Sequence, residues 1–311
     1  MAYVATAGWR GVIELTGSSV PPPKKLRFTS EAVVVNQGLE ISNDVHVGQR
    51  TAGVFEYRHI IPEGDISFPM ITATRPIPTV GSIQIEPVCA YLMKQAIVPY
   101  SGTELDPPVL GDTMVIRRGD AKKTIYSPHA SSISVSGTSG ARVDVTITTV
   151  ARYGEYATDT APDGFSEIVR AVFFNELDWG GANFNKVLYL GSTTEVVPRN
   201  FNFTSNTNLI RDDSYYAVQP QSLRGFVLGR QDVTCNITVV GAADPERGGL
   251  GGNDPVETNV SVGGIYNILF GLWTAKVINV AGPADLNVSE ITLSGMGQGL
   301  FSVTPGPLLG V

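Results

Sequence analysis

Apolar and polar residues alternate in short runs along this chain, and turn residues separate the runs, which is the signature of half-buried strands. Val12, Ile13 and Leu15 mark a first strand over 9–15, and Gly17 to Pro23 reads as a turn. Leu26 to Val35 predicts a second strand, led by Phe28 and ending in Val33-Val34-Val35. Asn36 to His59 is weakly apolar and carries both charge signs, so it predicts a long extended arm or a hairpin. Asp65 to Ile71 is the next strand. Ser131 to Val150 is the clearest hairpin: Ile133 and Val135 alternate, a Gly-Thr-Ser-Gly turn follows, then Val143, Val145 and Ile147 alternate with Asp144, Thr146 and Thr148.

Two stretches fit a helical period better. In Glu86 to Val98 the apolar residues Val88, Tyr91, Leu92 and Ile97 fall near one face, with Pro87 suited to a first turn. Tyr266 to Lys276 is expected as its counterpart, with Ile268, Leu269, Leu272 and Trp273 on one face. Val288 to Met296 reads as a truncated equivalent of the 131–150 hairpin. Glu155 to Gly181 is expected to join two halves; within it, Ser166 to Leu177 fits either a short helix or an entering strand. Phe301 to Val311 is expected as an extended tail.

The pattern repeats. Phe28-Thr29-Ser30 returns as Phe203-Thr204-Ser205, an offset of 203 − 28 = 175. At the same offset Ala7, Val12, Leu15 and Pro23 meet Ala182, Val187, Leu190 and Pro198. Trp9 meets Phe184, Ile13 meets Leu188 and Leu26 meets Phe201, so apolar character is kept where identity is not. Asp232 to Val239 matches Asp65 to Ile71 at 232 − 65 = 167, which makes the second arm, Asn206 to Leu228, 8 residues shorter than the first. Two copies of one domain follow, over residues 1–160 and 161–311. The length of 311 residues suits two domains, each large enough for its own core.

Composition narrows the class. Charged residues are only 16% and apolar ones 42%, with Gly 34 and Pro 20, which describes a packed protein of strands and turns. The net charge is −7, and beyond Lys24-Lys25 and Arg117-Arg118 no basic cluster exists. A protein that grips nucleic acid by its phosphates needs a positive face, so that class is disfavoured. Cys89 and Cys235 sit at unmatched positions and read as buried free thiols. The first residues lack a charged n-region and an apolar h-region, so no signal peptide is expected. No apolar run approaches the ~18 residues of a membrane span.

Candidate chemistry is thin. His46, His59 and His129 are scattered and none recurs in the second copy. No metal-binding spacing and no nucleophile elbow is present. Gly248 to Asn253 is glycine-rich but lacks the Lys-Ser/Thr of a phosphate loop. Asp212-Asp213, and Asp159 with Asp163, read as solvated loop charges before they read as a cation site. The residues kept between the copies are apolar or Ser/Thr of strands. The expectation is therefore no enzyme, no catalytic, cofactor-binding or metal residues, and no cofactor.

An N-terminal Gly-Trp-Arg-Gly-Val-Ile-Glu-Leu strand, a Pro/Gly turn, a Phe-Thr-Ser-led strand and a long arm come first. An Asp-Ile-Ser-Phe strand, a helix and the 131–150 hairpin complete the set. This order resembles the tail tube proteins of long-tailed bacteriophages, over nearly the whole chain. The resemblance implies a mainly β fold with one short helix per domain, as two tandem β-sandwich or half-barrel domains. It implies pseudo-hexameric rings of three duplicated subunits, stacked into a hollow tube through which phage DNA passes without specific binding. The arms, Asn36–His59 and Asn206–Leu228, would reach between subunits and rings. The implied partners are further copies of the chain and other tail proteins (tape measure, terminator, baseplate), with no membrane. The implied location is the virion tail, after synthesis in the host cytoplasm. Asp144-Thr146-Thr148 is the expected lumen face. The alternatives are another virion protein (neck or terminator ring, distal tail or capsid decoration protein), or an enzyme or carbohydrate-binding sandwich. For the last, Tyr215-Tyr216 is the only candidate platform, since Trp9, Trp179 and Trp273 read as core.

Overall fold

The computed structural model describes residues 11–21, 25–35, 37–42, 54–59, 61–73, 83–97, 109–119, 121–158, 170–177, 187–188, 195–211, 226–240, 258–270, 275–280, 288–296 and 301–309. The first half contains strands β1 (Val12–Thr16), β2 (Lys25–Arg27), β3 (Ser30–Glu31), β4 (Gln37–Ser42), β5 (Val54–His59) and β6 (Glu63–Pro69). Helix α1 (Pro87–Gln95) follows, then β7 (Thr113–Arg118), β8 (Ala121–Tyr126), β9 (His129–Thr138), β10 (Asp144–Val150) and β11 (Tyr153–Thr158). The second half opens with β12 (Val187–Leu188), β13 (Glu195–Asn206), β14 (Ile210–Arg211), β15 (Phe226–Val227) and β16 (Asp232–Val240). It closes with β17 (Thr258–Val262), β18 (Tyr266–Phe270), β19 (Ala275–Val280), β20 (Val288–Met296) and β21 (Phe301–Pro305). The protein is mainly β, and its sheets are antiparallel.

The largest sheet runs β19-β20-β16-β13-β9-β10-β6-β3, with β12 paired to the start of β13. It crosses from one half of the sequence to the other at a seam between β9 and β13. Alternation gives this sheet one apolar face. Ile66, Phe68, Ile133, Val135, Val145, Ile147, Phe201, Phe203, Val233, Cys235 and Ile237 are all buried in one continuous core.

A second layer covers that face. Its parts are the five-stranded sheet β11-β8-β7-β1-β2, the three-stranded sheet β17-β18-β21, and α1. Ile13, Leu15, Met114 and Ile116 of the five-stranded sheet and Val262, Tyr266, Ile268 and Val303 of the three-stranded one belong to the same core. Tyr266 ties the layers together. Its ring lies 4.9 Å from that of Phe203, and its hydroxyl donates to the carbonyl of Met93 in α1 at 3.1 Å. A buried phenol needs such an acceptor, since an unpaired one costs about 1–3 kcal/mol.

Helix α1 forms where the sequence predicts it. Pro87 stands in the first turn and the Glu86 carboxylate accepts from Cys89 N at 2.8 Å, capping the helix. Val88, Cys89, Ala90, Leu92 and Met93 face the core. The expected second helix does not form: Tyr266–Phe270 is strand β18 and Ala275–Val280 is strand β19. Tyr266 and Ile268 are buried while Leu269 is exposed, a period of two. Four apolar residues in a run of five satisfy either period, and here the turn decides. Gly263 (φ 56°) and Gly264 (φ 74°) both take the left-handed conformation a tight reversal needs, which fixes 258–270 as a hairpin.

Other boundaries shift. The predicted strand 26–35 breaks after Arg27, because β2 pairs with β1 while β3 pairs with β6. The stretch read as a joining segment from Glu155 begins inside β11, and Phe174–Glu176 makes one 3-10 turn. Val288–Met296 is a full nine-residue strand, paired to both β16 and β19. The expected tail at 301–311 is instead strand β21 and a 3-10 turn at Pro307–Leu309, whose Leu309 is buried. The first arm is a hairpin of β4 and β5, and the second contains the short pair β14 and β15.

One regularity stands out in the topology. From its β3 end the large sheet runs β3-β6-β10-β9, and from the seam outward it runs β13-β16-β20-β19. In chain order each set is first, second, fourth, third. In the covering layer β7-β8-β11 and β17-β18-β21 also run in the same order. Each arm hairpin leaves the chain between the first and second strand of its set.

Candidate interaction surface

In β6, β9, β10, β13 and β16 the described residues turned away from the core are mostly small and polar. They hydrogen-bond to each other across the strands. Ser67 and Thr146 share a bond of 2.9 Å. Ser132 donates to Thr148 at 2.8 Å, and Thr148 in turn donates to Asp65 at 2.6 Å. Ser134 donates to Asn202 across the seam at 3.2 Å. Short bonds to a carboxylate are the strong members of such a network. The effect is to hold hydroxyls and amides flat against the sheet, with their hydrogen-bonding capacity turned largely on each other.

Charge in the five central strands of the sheet is sparse and mostly acidic. Strands β6, β9, β10, β13 and β16 contain no lysine and a single arginine, Arg199, at the register shift of β13. Of the bordering cations, Arg142 pairs with Asp144 at 2.9 Å and Arg230 with Asp232 at 3.1 Å. A polyanion passing over this field meets carboxylates and hydroxyls, and gains no counterion release from lysine. Asp144, Thr146 and Thr148, the expected lumen residues, stand on this face, each partly buried.

Two edges end the sheet. At one, β19 pairs with β20 alone among the described residues. At the other, β3 pairs with β6, and Thr29 and Ser30 are exposed. Here Lys123 reaches over from β8. Its ammonium bonds the Glu31 carboxylate at 2.7 Å and the Val33 carbonyl at 2.6 Å, and the Glu31 side chain is only 1% exposed. An open edge is a pairing template unless something caps it, and Lys123 caps this one just past Glu31.

A groove of about 600 Å³ beside α1 is lined by Tyr91, Lys94, Ile85, Pro21 and Leu308, among others. Within it no set of acid, base and nucleophile converges. No group of three or more His, Cys, Asp or Glu gathers in metal-binding geometry among the described residues. His129 is buried, with its ring 5.0 Å from Phe226. Cys89 and Cys235 are buried free thiols, and burial pushes both up to about 12. His46, Trp9, Trp179, Trp273, Tyr215-Tyr216, Asp159, Asp163, Asp212-Asp213 and the 248–253 glycines lie outside the described residues. Among those that are described, no helix is long and apolar enough to cross a membrane.

The sequence alone did not reveal the seam or the Lys123 cap. One signal for the seam was present. Ile133-Ser134-Val135 has a parallel in Ile278-Asn279-Val280, at 278 − 133 = 145, and β9 and β19 hold the same third place in the two strand sets. No protein-family model matches this chain, and no curated protein is significantly similar to it.

Proposed function

We propose that this chain is a structural subunit of a hollow tube, of the kind found in long-tailed bacteriophages. It is read as two tandem copies of one domain, over 1–160 and 161–311, fused into a single subunit. The observation that carries the reading is the large sheet. Two strand sets of the same order stand side by side in it, with one shared core face and one shared polar face. Duplication accounts for that order, and for the recurrence of Phe-Thr-Ser at an offset of 203 − 28 = 175. A wall for DNA to slide past needs a polar surface poor in free cations, and the described Ser/Thr/Asn/Asp face fits that need: Arg199 is the one arginine of its strands, and the bordering Arg142 and Arg230 are paired with Asp144 and Asp232. Three such chains, each giving two of six pseudo-equivalent positions, would make one ring, and the two arm hairpins would bridge rings. Its partners would be further copies and the other tail proteins, and its place the virion tail. It would carry no catalysis and need no cofactor.

Negative-stain electron microscopy of the purified protein, fresh and concentrated, tests this. Stacked rings or tubes are the expected result. Single rings that never stack would favour a neck, terminator or decoration protein. Monomers at every concentration would remove the virion reading.

A further inference from the structure

The outer end of the five-stranded sheet is open on a side that its counterpart in the second half keeps covered. We propose that this end, at Arg118, Tyr156 and Thr158, is a docking surface for the acidic second half of another copy of this chain. The inference rests on the ring-forming reading above, and it specifies which surface of the first half makes the joint.

The two halves carry matching rows of side chains in different states. Hairpins β7–β8 and β17–β18 close on the pairs Arg118–Ala121 and Val262–Tyr266. Extended to the third strand, these rows are Arg118-Ala121-Thr158 and Val262-Tyr266-Pro305. The next row on the same side is Ile116-Lys123-Tyr156 in the first half, and it contains Ile268-Val303 in the second. Directly paired residues share a face, and the buried Ile116 marks that face as the core side. In the second half Val262, Tyr266, Ile268 and Val303 are all buried, Val303 at 2% exposure. In the first half Arg118 and Thr158 are exposed, and Tyr156, the counterpart of Val303, is 62% exposed.

What covers the second half shows what the first half lacks. β18 stands over β13, where the Tyr266 ring meets Phe203, and beyond β13 the large sheet continues into β9. The Tyr266 hydroxyl also reaches Met93 of α1. Both β9 and α1 belong to the other half of the chain. β8 stands over β3 in the same way, since Lys123 bonds Glu31. No strand follows β3 among the described residues, so β11, one strand further out than β8, overhangs the end of the large sheet. The missing neighbour is a half-chain. In a head-to-tail ring the unit that precedes a first half is the second half of another copy, and such a contact is heterologous.

Charge agrees with that occupant. The β7–β8 hairpin gathers Arg117, Arg118, Lys122 and Lys123 around the single acid Asp120. Residues 1–160 have a net charge of 14 − 15 = −1, and residues 161–311 have 8 − 14 = −6. A cationic hairpin beside an acidic half is complementary, which sets orientation and speeds encounter. Tyr and Arg are also among the side chains that interface centres favour.

The test is a photo-cross-link. A benzoyl-phenylalanine replaces Tyr156, the protein is mixed with isotope-labelled parent, concentrated and irradiated, and linked peptides are identified by mass spectrometry. Links from position 156 to residues 161–311 of a labelled copy are expected. Tyr156→Asp and Arg118→Glu give a second readout. Both side chains are exposed, so each variant should keep the parent's melting temperature while the concentration needed for assembly rises about tenfold or more. Assembly in which position 156 links to a first half, links only within its own chain or does not link would overturn the surface and leave the tube reading standing. So would assembly of both variants at the parent's concentration. Links to the second half in rings that never stack would keep the surface and remove the tube. Monomers without links at every concentration would overturn both.

Discussion

Thr204 lies directly opposite Ser134, although the two residues come from different halves of the sequence. The seam they mark joins the two strand sets into one sheet with one core. Damage at the seam should therefore cost stability to the whole chain, not to one half.

Phe203 is the residue to remove first. It is fully buried between β9 and the covering layer, with the Tyr266 ring 4.9 Å away. Phe203→Ala is expected to cost about 3–5 kcal/mol. Gly137 tests the same place from the other side, since a Cβ there would stand 2.9 Å from the Phe201 ring and 3.2 Å from Phe174. Gly137→Val should cost about 1–3 kcal/mol through overpacking. Both are read from urea unfolding followed by far-UV circular dichroism. Loss of half the signal in a separate early transition would show that the halves unfold independently.

Glu86 gives a pH dependence. Its carboxyl caps α1 but is largely desolvated, and its Oε1 has no hydrogen-bond partner among the described residues, so burial raises its pKa above the usual 4.5. The folded state thus holds this proton more tightly than the unfolded chain. Its contribution to stability is complete below pH 4.5 and is lost as pH rises through the raised folded value. Glu86→Gln keeps an acceptor for Cys89 N and cannot ionise. The variant should match the parent at low pH and exceed it at neutral pH, in melting temperature measured across the range. Parallel profiles would contradict the assignment.

Much of the fold was legible in the sequence. The 131–150 hairpin, the 65–71 strand and α1 each have a clear period and a turn or cap that sets an end. The 266–276 stretch was not, because its few apolar residues fit a helix face and a strand equally. Its place beside β17 and β21 is decided by long-range pairing. The polar face was half legible: alternation puts Asp144, Thr146 and Thr148 together, but only the register aligns them with Asp65, Ser67 and Ser132. The Lys123 cap left no trace, since nothing local distinguishes Lys123 from its neighbour Lys122 on the partly buried strand β8.

The cysteines should be silent. Both are buried thiols raised to about 12, and desolvation by burial is the main cause in each. An alkylating reagent at pH 8 is expected to label neither in the folded protein and both in denaturant, counted by mass spectrometry. Rapid labelling of the native chain would place at least one at the surface.

The polar face can be made adhesive. Asn202 and Asn236 are exposed on it and paired across β13 and β16. Asn202→Lys or Asn236→Lys should leave the fold intact, at a cost within about 0.5 kcal/mol. Either is expected to make the surface retain duplex DNA, which the parent is expected not to do. Binding of labelled duplex should appear in the variants, weaken as salt rises, and be absent from the parent. DNA retention by the parent at physiological salt would contradict a non-adhesive wall.

The most direct measurement is a cryo-electron microscopy reconstruction of the assembled protein. The account predicts rings of three chains with near six-fold symmetry and a bore of roughly 20 Å or more, wide enough for duplex DNA. The bore should be lined by the Ser/Thr/Asn/Asp face of β6, β9, β10, β13 and β16. A closed assembly with no bore, or a bore lined by the five-stranded sheet or by α1, would contradict it.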